Sequence, residues 1–184
     1  EMNTPNERTV EAENIDFFEL QKCEKQIRLG DFGTLPILRN IVFSKNAQFD
    51  MRVRAIEILH LCPSEHFSDT EIDERIDEIF DEVCQSEINV DDALRLAECL
   101  LIIKRRTVFI RLVEGLNNVA MRDSDRINFA KLLDRAKLAE KALQQLDKVT
   151  NFTCLIWPWN WKFFEEKFGS TELLRKLNET LEAE

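Results

Sequence analysis

Apolar side chains recur every three or four positions in stretch after stretch of this chain, and little breaks the pattern. "SDTEIDERIDEIFDEVCQS", residues 68–86, sets Ile72, Ile76, Ile79, Phe80 and Val83 on one stripe and carboxylates on the opposite face. That is the 3.6-residue period of an amphipathic helix. Four glycines and four prolines punctuate 184 residues, too few turn residues for an all-β fold. The spacing predicts about eight helices and no strand. They cover 14–29 (capped by Asn14), 34–44 (Thr34 as cap, Pro36 in the first turn), 50–62 (capped by Asp50), 68–86, 89–106, 107–121, 123–149 and 170–184. The 89–106 stretch is apolar nearly all round toward its end and reads as the central buried helix. Asp31-Phe32-Gly33 reads as a turn between helices.

Consecutive amphipathic helices joined by short links imply antiparallel hairpins stacked side by side. The expected fold is therefore all-α, a short solenoid or an irregular helical bundle. A flexible segment, 1–13, precedes a single all-α domain, 14–184, whose 154–184 part is an aromatic segment with a C-terminal capping helix.

Charge narrows the function classes. Asp and Glu number 35 against 25 Lys and Arg, a formal net charge of −10. Such a surface repels phosphate backbones and anionic lipid and attracts basic partners. No run approaches the roughly 20 apolar residues of a membrane span. The first 14 residues, "EMNTPNERTVEAEN", have no apolar signal core. Cys23, Cys62, Cys84, Cys99 and Cys154 are odd in number, lack a CxxC spacing and read as buried free thiols of a reducing compartment. The expected location is cytoplasmic, or nuclear in a eukaryote. No Walker-type glycine loop is present. His60 and His66, the two histidines, lack metal-ligand spacing. The expectation is no cofactor, no metal ligand and no catalytic set.

The hairpin at 34–62 is the most informative local pattern. "LPILRNIV" followed by "DMRVRAIEIL" resembles a HEAT repeat: Leu35-Pro36, Leu38 and Ile41 stand on the first helix, and Asp50, Met51-Arg52, Ala55 and Leu59 on the second. Ala55, Ala93 and Ala130 are spaced 38 and 37 residues apart, and Ile58, Leu96 and Leu133 share the offsets, an echo of that family's period. The middle unit departs from the pattern with Asn89-Val90. The resemblance implies that the alanines let helices approach, that an arginine ties to an acid in a neighbouring hairpin, and that the chain serves as a scaffold or adaptor.

Three stretches are candidates for function. The first is the acidic helix, with Glu71, Glu74, Asp77, Glu78 and Asp81 as a docking face for a protein partner, a basic one on charge grounds. Glu71-x-x-Glu74 and Glu78-x-x-Asp81 also resemble the Mg²⁺-holding carboxylate pairs of all-α MazG-type nucleotide pyrophosphohydrolases. That family places its pairs on two facing helices, whereas these lie on one. The second stretch is "KRRTVFIR", 104–111, four cations that offer a nucleic-acid grip on an otherwise acidic chain. The third is "LIWPWNWKFF", 155–164, with Trp157, Trp159 and Trp161. It reads as extended or turned because Pro158 disfavours helical geometry at Trp157, and it serves either as a cap on the stack or as a recognition patch. A "WPWNWKFF" segment before a short Leu-rich helix is also similar to the C-terminal part of some phage-type MazG members. The leading expectation is a protein-interaction module, with nucleotide hydrolysis and then nucleic-acid binding as alternatives.

Overall fold

The computed structural model describes residues 16–66, 68–85, 88–151 and 158–183. Among these residues there are ten helices and no strand: α1 (Phe17–Arg28), α2 (Leu35–Phe43), α3 (Phe49–Leu59), α4 (Asp69–Cys84), α5 (Val90–Ile102), α6 (Arg106–Leu116), α7 (Asp123–Arg135), α8 (Ala139–Asp147), α9 (Pro158–Phe168) and α10 (Ser170–Ala183). The all-α expectation holds. Contacts group the chain into two compact units, Glu1–Leu112 and Val113–Glu184.

In the first unit the hub is α3, which packs against α1, α2 and α5. This differs from the expectation that the helix at 89–106 is the central one. Eight of the eleven residues of α3 are buried, Arg52 and Glu57 among them. Charge is what hid it in the sequence: two arginines and two acids interrupt its apolar run.

Those charges form an alternating chain across three helices. Arg28 pairs with Glu24 at 2.8 Å on α1. Arg54 of α3 donates to Glu24 and, at 2.8 Å, to Glu57. Arg95 of α5 donates to the other oxygen of Glu57 at 2.6 Å and lies 3.5 Å from Asp50. Glu57 is only 4% exposed, and an unpaired carboxylate there would be costly, so two guanidinium groups hold it. Burial tends to raise the Glu24 carboxyl, but Arg28 and Arg54 outweigh it and hold it below its ordinary value. Burial likewise opposes the charge on Arg95, and the hydrogen bond to Glu57 more than restores it.

Close approach of α3 and α5 follows from small residues. Ala55, Ala93 and Ala97 are fully buried, and the Cys99 thiol lies 3.9 Å from the Val53 carbonyl, its acceptor across the two helices. Ala130, the third alanine of the 37–38-residue series, is fully buried in α7, which packs on α8.

Element starts follow capping chemistry. The Asp16 carboxylate accepts from the Glu19 N–H at 2.9 Å, so α1 begins at Phe17 and the expected cap Asn14 lies outside the described residues. The core stripe of α1 is Leu20, Cys23 and Ile27, while Phe18 is 62% exposed beneath the Lys22 ammonium. Ser68 caps α4, and Asn89 caps α5 by accepting from Asp91 and Asp92. Thr34 occupies the cap position of α2 without a capping bond, and α3 starts at Phe49 with Asp50 in its first turn. Ile72, Ile76, Ile79, Phe80 and Val83 are all buried, as their stripe predicts.

In the second unit the expected long helix at 123–149 is two helices. Lys137 adopts a left-handed conformation, φ 64°. The Lys137 N–H donates to Asp134 and the Leu138 N–H to Leu133, a Schellman closure that normally uses glycine. Lys104 ends α5 in the same way, φ 62°, with Arg105 N–H donating to Leu100. A lysine at such a position sends no sequence signal, which explains the missed break. α8 then packs on α7. Asp123 accepts from the N–H groups of Thr150 and Asn151 at 3.2 and 2.7 Å and so ties the exit of α8 to the start of α7.

Two stability outcomes follow. Glu57→Ala should lower the unfolding free energy by about 3 kcal/mol, because it leaves Arg54 and Arg95 facing each other half-buried. Urea unfolding followed by circular dichroism checks this. Lys137→Gly should raise stability by about 1 kcal/mol, the cost of the left-handed conformation in a residue with a Cβ, since the lysine side chain is exposed. An unchanged urea midpoint would refute it.

Candidate functional site

The acidic helix α4 lies in the first unit with its apolar stripe against the core, and four of its eight carboxylates are answered by arginines from other elements. Arg39 of α2 sits 3.5 Å from Glu71, and Arg105 donates to Asp73. Arg111 of α6 lies 3.9 Å from Asp77, with its guanidinium 4.6 Å from the Phe80 ring centroid. Arg75 pairs with Glu78 one turn along. Arg52, 8% exposed, donates from one nitrogen to both oxygens of Glu82, at 3.0 and 2.8 Å. This last pair joins α3 to the following hairpin across 30 residues, as the sequence pattern suggested an arginine there would.

The five acids picked from the sequence therefore divide. Glu71, Asp77 and Glu78 have arginine partners. Glu74 and Asp81 are exposed and have no ion pair or hydrogen bond among the described residues. All five share one helix, and Glu71/Glu74 and Glu78/Asp81 sit two turns apart, about 10 Å along the axis. Among the described residues no group of three or more His, Cys, Asp or Glu converges as metal ligands.

Two clefts flank α4. One, about 540 Å³, is lined by Val42, Phe43, Arg52, Arg75, Asp81 and Glu82 among others, at the C-terminal end of α2. Phe43 is 43% exposed, and the Arg75 guanidinium stacks 3.9 Å from its ring centroid. The other, about 480 Å³, is lined by Asp73, Asp77, Lys104, Arg105, Arg106 and Arg111. The basic 104–111 stretch thus faces α4, where two of its arginines engage Asp73 and Asp77. Sequence reasoning missed Arg39, Arg75 and Phe43 as companions of the acidic helix, and tied Arg52 to an acid of a neighbouring hairpin without saying which. Their partners are distant in sequence or on the same helix amid many acids, and spacing alone does not reveal such pairs.

A second group of carboxylates crowds the α4–α5 corner. Burial raises the Asp92 carboxyl above its ordinary value, and Asp50, Asp91 and Glu82 push it further the same way. The thiols are unsuited to nucleophilic work at neutral pH. Burial raises Cys23, Cys62 and Cys84, and pushes Cys99 up to about 12. These four are free, and Cys154 lies outside the described residues. His66 stacks on Phe32, ring centroids 4.1 Å apart.

The two described tryptophans do not form one surface strip. Trp157 lies outside the described residues. Trp159 and Trp161 stand on α9, a helix from Pro158 onward rather than an extended piece, because proline is well suited to a first helical turn. Two residues apart on a helix, they point about 200° from each other. Trp159 is 61% exposed and Trp161 half-buried. The fully buried aromatic of this helix is Phe164, with the Phe168 ring centroid 5.6 Å away, and α10 packs on α9.

No protein-family model, no curated protein and no solved structure matches this chain. No helix among the described residues is long and apolar enough to cross a membrane.

The crowding at Asp92 has a pH consequence. A carboxyl whose folded pKa lies above its unfolded value disfavours folding once pH exceeds both values, and is neutral in its effect below both. Asp92→Asn should therefore stabilise the protein at pH 7, and the gain should vanish below the unfolded aspartate value of about 3.9. Urea midpoints measured from pH 3 to 8 test this, and a gain that persists unchanged at pH 3 would assign it to something other than charge.

Proposed function

We propose that this chain is a protein-interaction module, an adaptor whose helical hairpins, HEAT-like over residues 34–62, present an acidic face along α4 to a basic protein partner. The observation that carries the reading is the placement of charge. Before residue 113 there are 23 Asp and Glu against 14 Lys and Arg, and after it 12 against 11, so nine of the ten excess negative charges belong to the first unit. Between residues 69 and 92 eleven acids accompany a single base, Arg75. Arginines from elsewhere in the unit orient many of these carboxylates, and Glu74 and Asp81 remain exposed without partners among the described residues. An excess of one sign on a rigid face steers an oppositely charged partner. Packing of α3 on α1, α2 and α5 supplies the rigidity.

Neither alternative draws comparable support. The two carboxylate pairs lie along one helix, and Arg105 and Arg111 of the basic stretch are engaged by Asp73 and Asp77 of α4. A fluorescein-labelled Lys/Arg-rich peptide, followed by anisotropy, provides the test. Its Kd should weaken about tenfold between 50 and 500 mM NaCl, and Glu74→Lys or Glu78→Lys should weaken it further at low salt. Binding that ignores both salt and these substitutions would overturn the reading.

A further inference from the structure

The acidic face has one place where charge adjoins an apolar foothold, the 540 Å³ groove between the end of α2 and α4. We propose that this groove is the anchor subsite for a peptide segment of another protein that carries an arginine next to an aliphatic residue. The proposal rests on the acidic-face reading above and sharpens it to one location and one chemistry.

The groove already contains a small-scale version of that contact. Arg75 lies over the exposed Phe43 ring, 3.9 Å from its centroid, and pairs with Glu78. An aromatic face beside a carboxylate is the setting in which a guanidinium gains both a cation–π contact and a charge-assisted hydrogen bond. Further along the same wall, Asp81 has no partner among the described residues. Glu82 is held by the buried Arg52 on one side while about half of its side chain stays exposed. A carboxylate accepts at about four positions, so both acids retain capacity for an incoming guanidinium, and the Arg52 contact keeps Glu82 from swinging away. The remaining exposed edge of Phe43 offers apolar area to an aliphatic neighbour.

Charge favours a cation over an anion as the occupant. The lining pairs Arg52 with Glu82 and Arg75 with Glu78, which leaves Asp81 against Lys45. Glu74, one turn before Glu78 on α4, and Asp92, within electrostatic reach of Glu82 and Asp91, add to the negative side. Among the described lining residues, Lys45 is the cation without a carboxylate partner, so Lys45→Glu should tighten binding. The chain's own first 14 residues, "EMNTPNERTVEAEN", are acidic and do not match the groove.

The test uses the full chain, ¹⁵N-labelled, and three amidated twelve-residue peptides. The first carries leucine beside three arginines, the second has serine for each leucine, and the third has glutamine for each arginine. The first should shift the amides of residues 42–45 and 78–85, with a Kd about tenfold below that of the second, and the third should not bind. Phe43→Ala should erase the difference between the first two peptides. Asp81→Asn, at an exposed position that leaves the fold intact, should weaken the first about fivefold. If the serine peptide binds as tightly as the leucine peptide and shifts centre on Glu74 and Asp77, the groove is overturned while the acidic face stands. If neither arginine peptide shifts any α4 amide, both readings fail. Groove shifts that grow with protein concentration alone would assign the site to a second copy of this chain and overturn the proposal.

Discussion

The first unit depends on a carboxylate in the wrong solvent. Glu57 sits in the middle of α3, the helix on which α1, α2 and α5 all pack, and it is nearly sealed from water. It is tolerable there only because Arg54 reaches it from one side and Arg95 of α5 from the other. That requirement sets how α3 and α5 lie together, since the guanidinium must arrive while Ala55, Ala93 and Ala97 bring the two backbones close. Glu24 extends the same alternation to α1 through Arg54. Arg28, Glu24, Arg54, Glu57, Arg95 and Asp50 carry three charges of each sign, so the chain of ion pairs is neutral as a whole. Such a network adds less net stability than apolar packing would, but it penalises misaligned helices heavily.

A related principle governs α4. Its apolar stripe binds it to the core in the ordinary way, while its outer face carries more negative charge than an isolated helix tolerates well. Arginines from α2, α3, the α5–α6 link and α6 surround it, each facing a different acid. These ion pairs are mostly exposed and individually weak, so their main effect is orientation. They hold particular carboxylates still and leave others outward. A face that looks uniformly acidic in sequence becomes patterned, with paired sites flanking Glu74 and Asp81. The Arg52–Glu82 pair belongs to both systems, since Arg52 rises from the buried face of α3 and ends in the groove beside α4.

Much of this was legible in the residues. Helical periodicity placed seven helices close to their observed positions and put every member of the Ile72–Val83 stripe inside. The pattern around Arg52 anticipated an arginine tied to a neighbouring hairpin. The misses have identifiable causes. Lys137 and Lys104 take the left-handed conformation that glycine usually marks, so the break between α7 and α8 left no trace in composition. Phe18 stands at helical spacing with the core residues but falls on the outer side, because the buried stripe runs through Leu20, Cys23 and Ile27. Pro158 starts a helix rather than ending one. A proline disfavours helix in the residue before it, yet its own fixed φ suits a first turn.

The sequence by itself determined the helical class, the amphipathic face of α4, the excess of acid and the small residues that let α3 meet α5. These properties are local, written in the period and polarity of ten to twenty adjacent side chains. Only the tertiary structure decided which charges meet. Arg52 with Glu82, Arg54 with Glu24 and Arg95 with Glu57 are separated by 30 to 38 residues, and a sequence with 25 cations and 35 anions permits far too many pairings for spacing to choose among them. Burial makes the choice. Desolvation makes an unpaired buried charge costly, so the packing of α3 determines which guanidinium groups must turn inward and which carboxylates of α4 remain exposed.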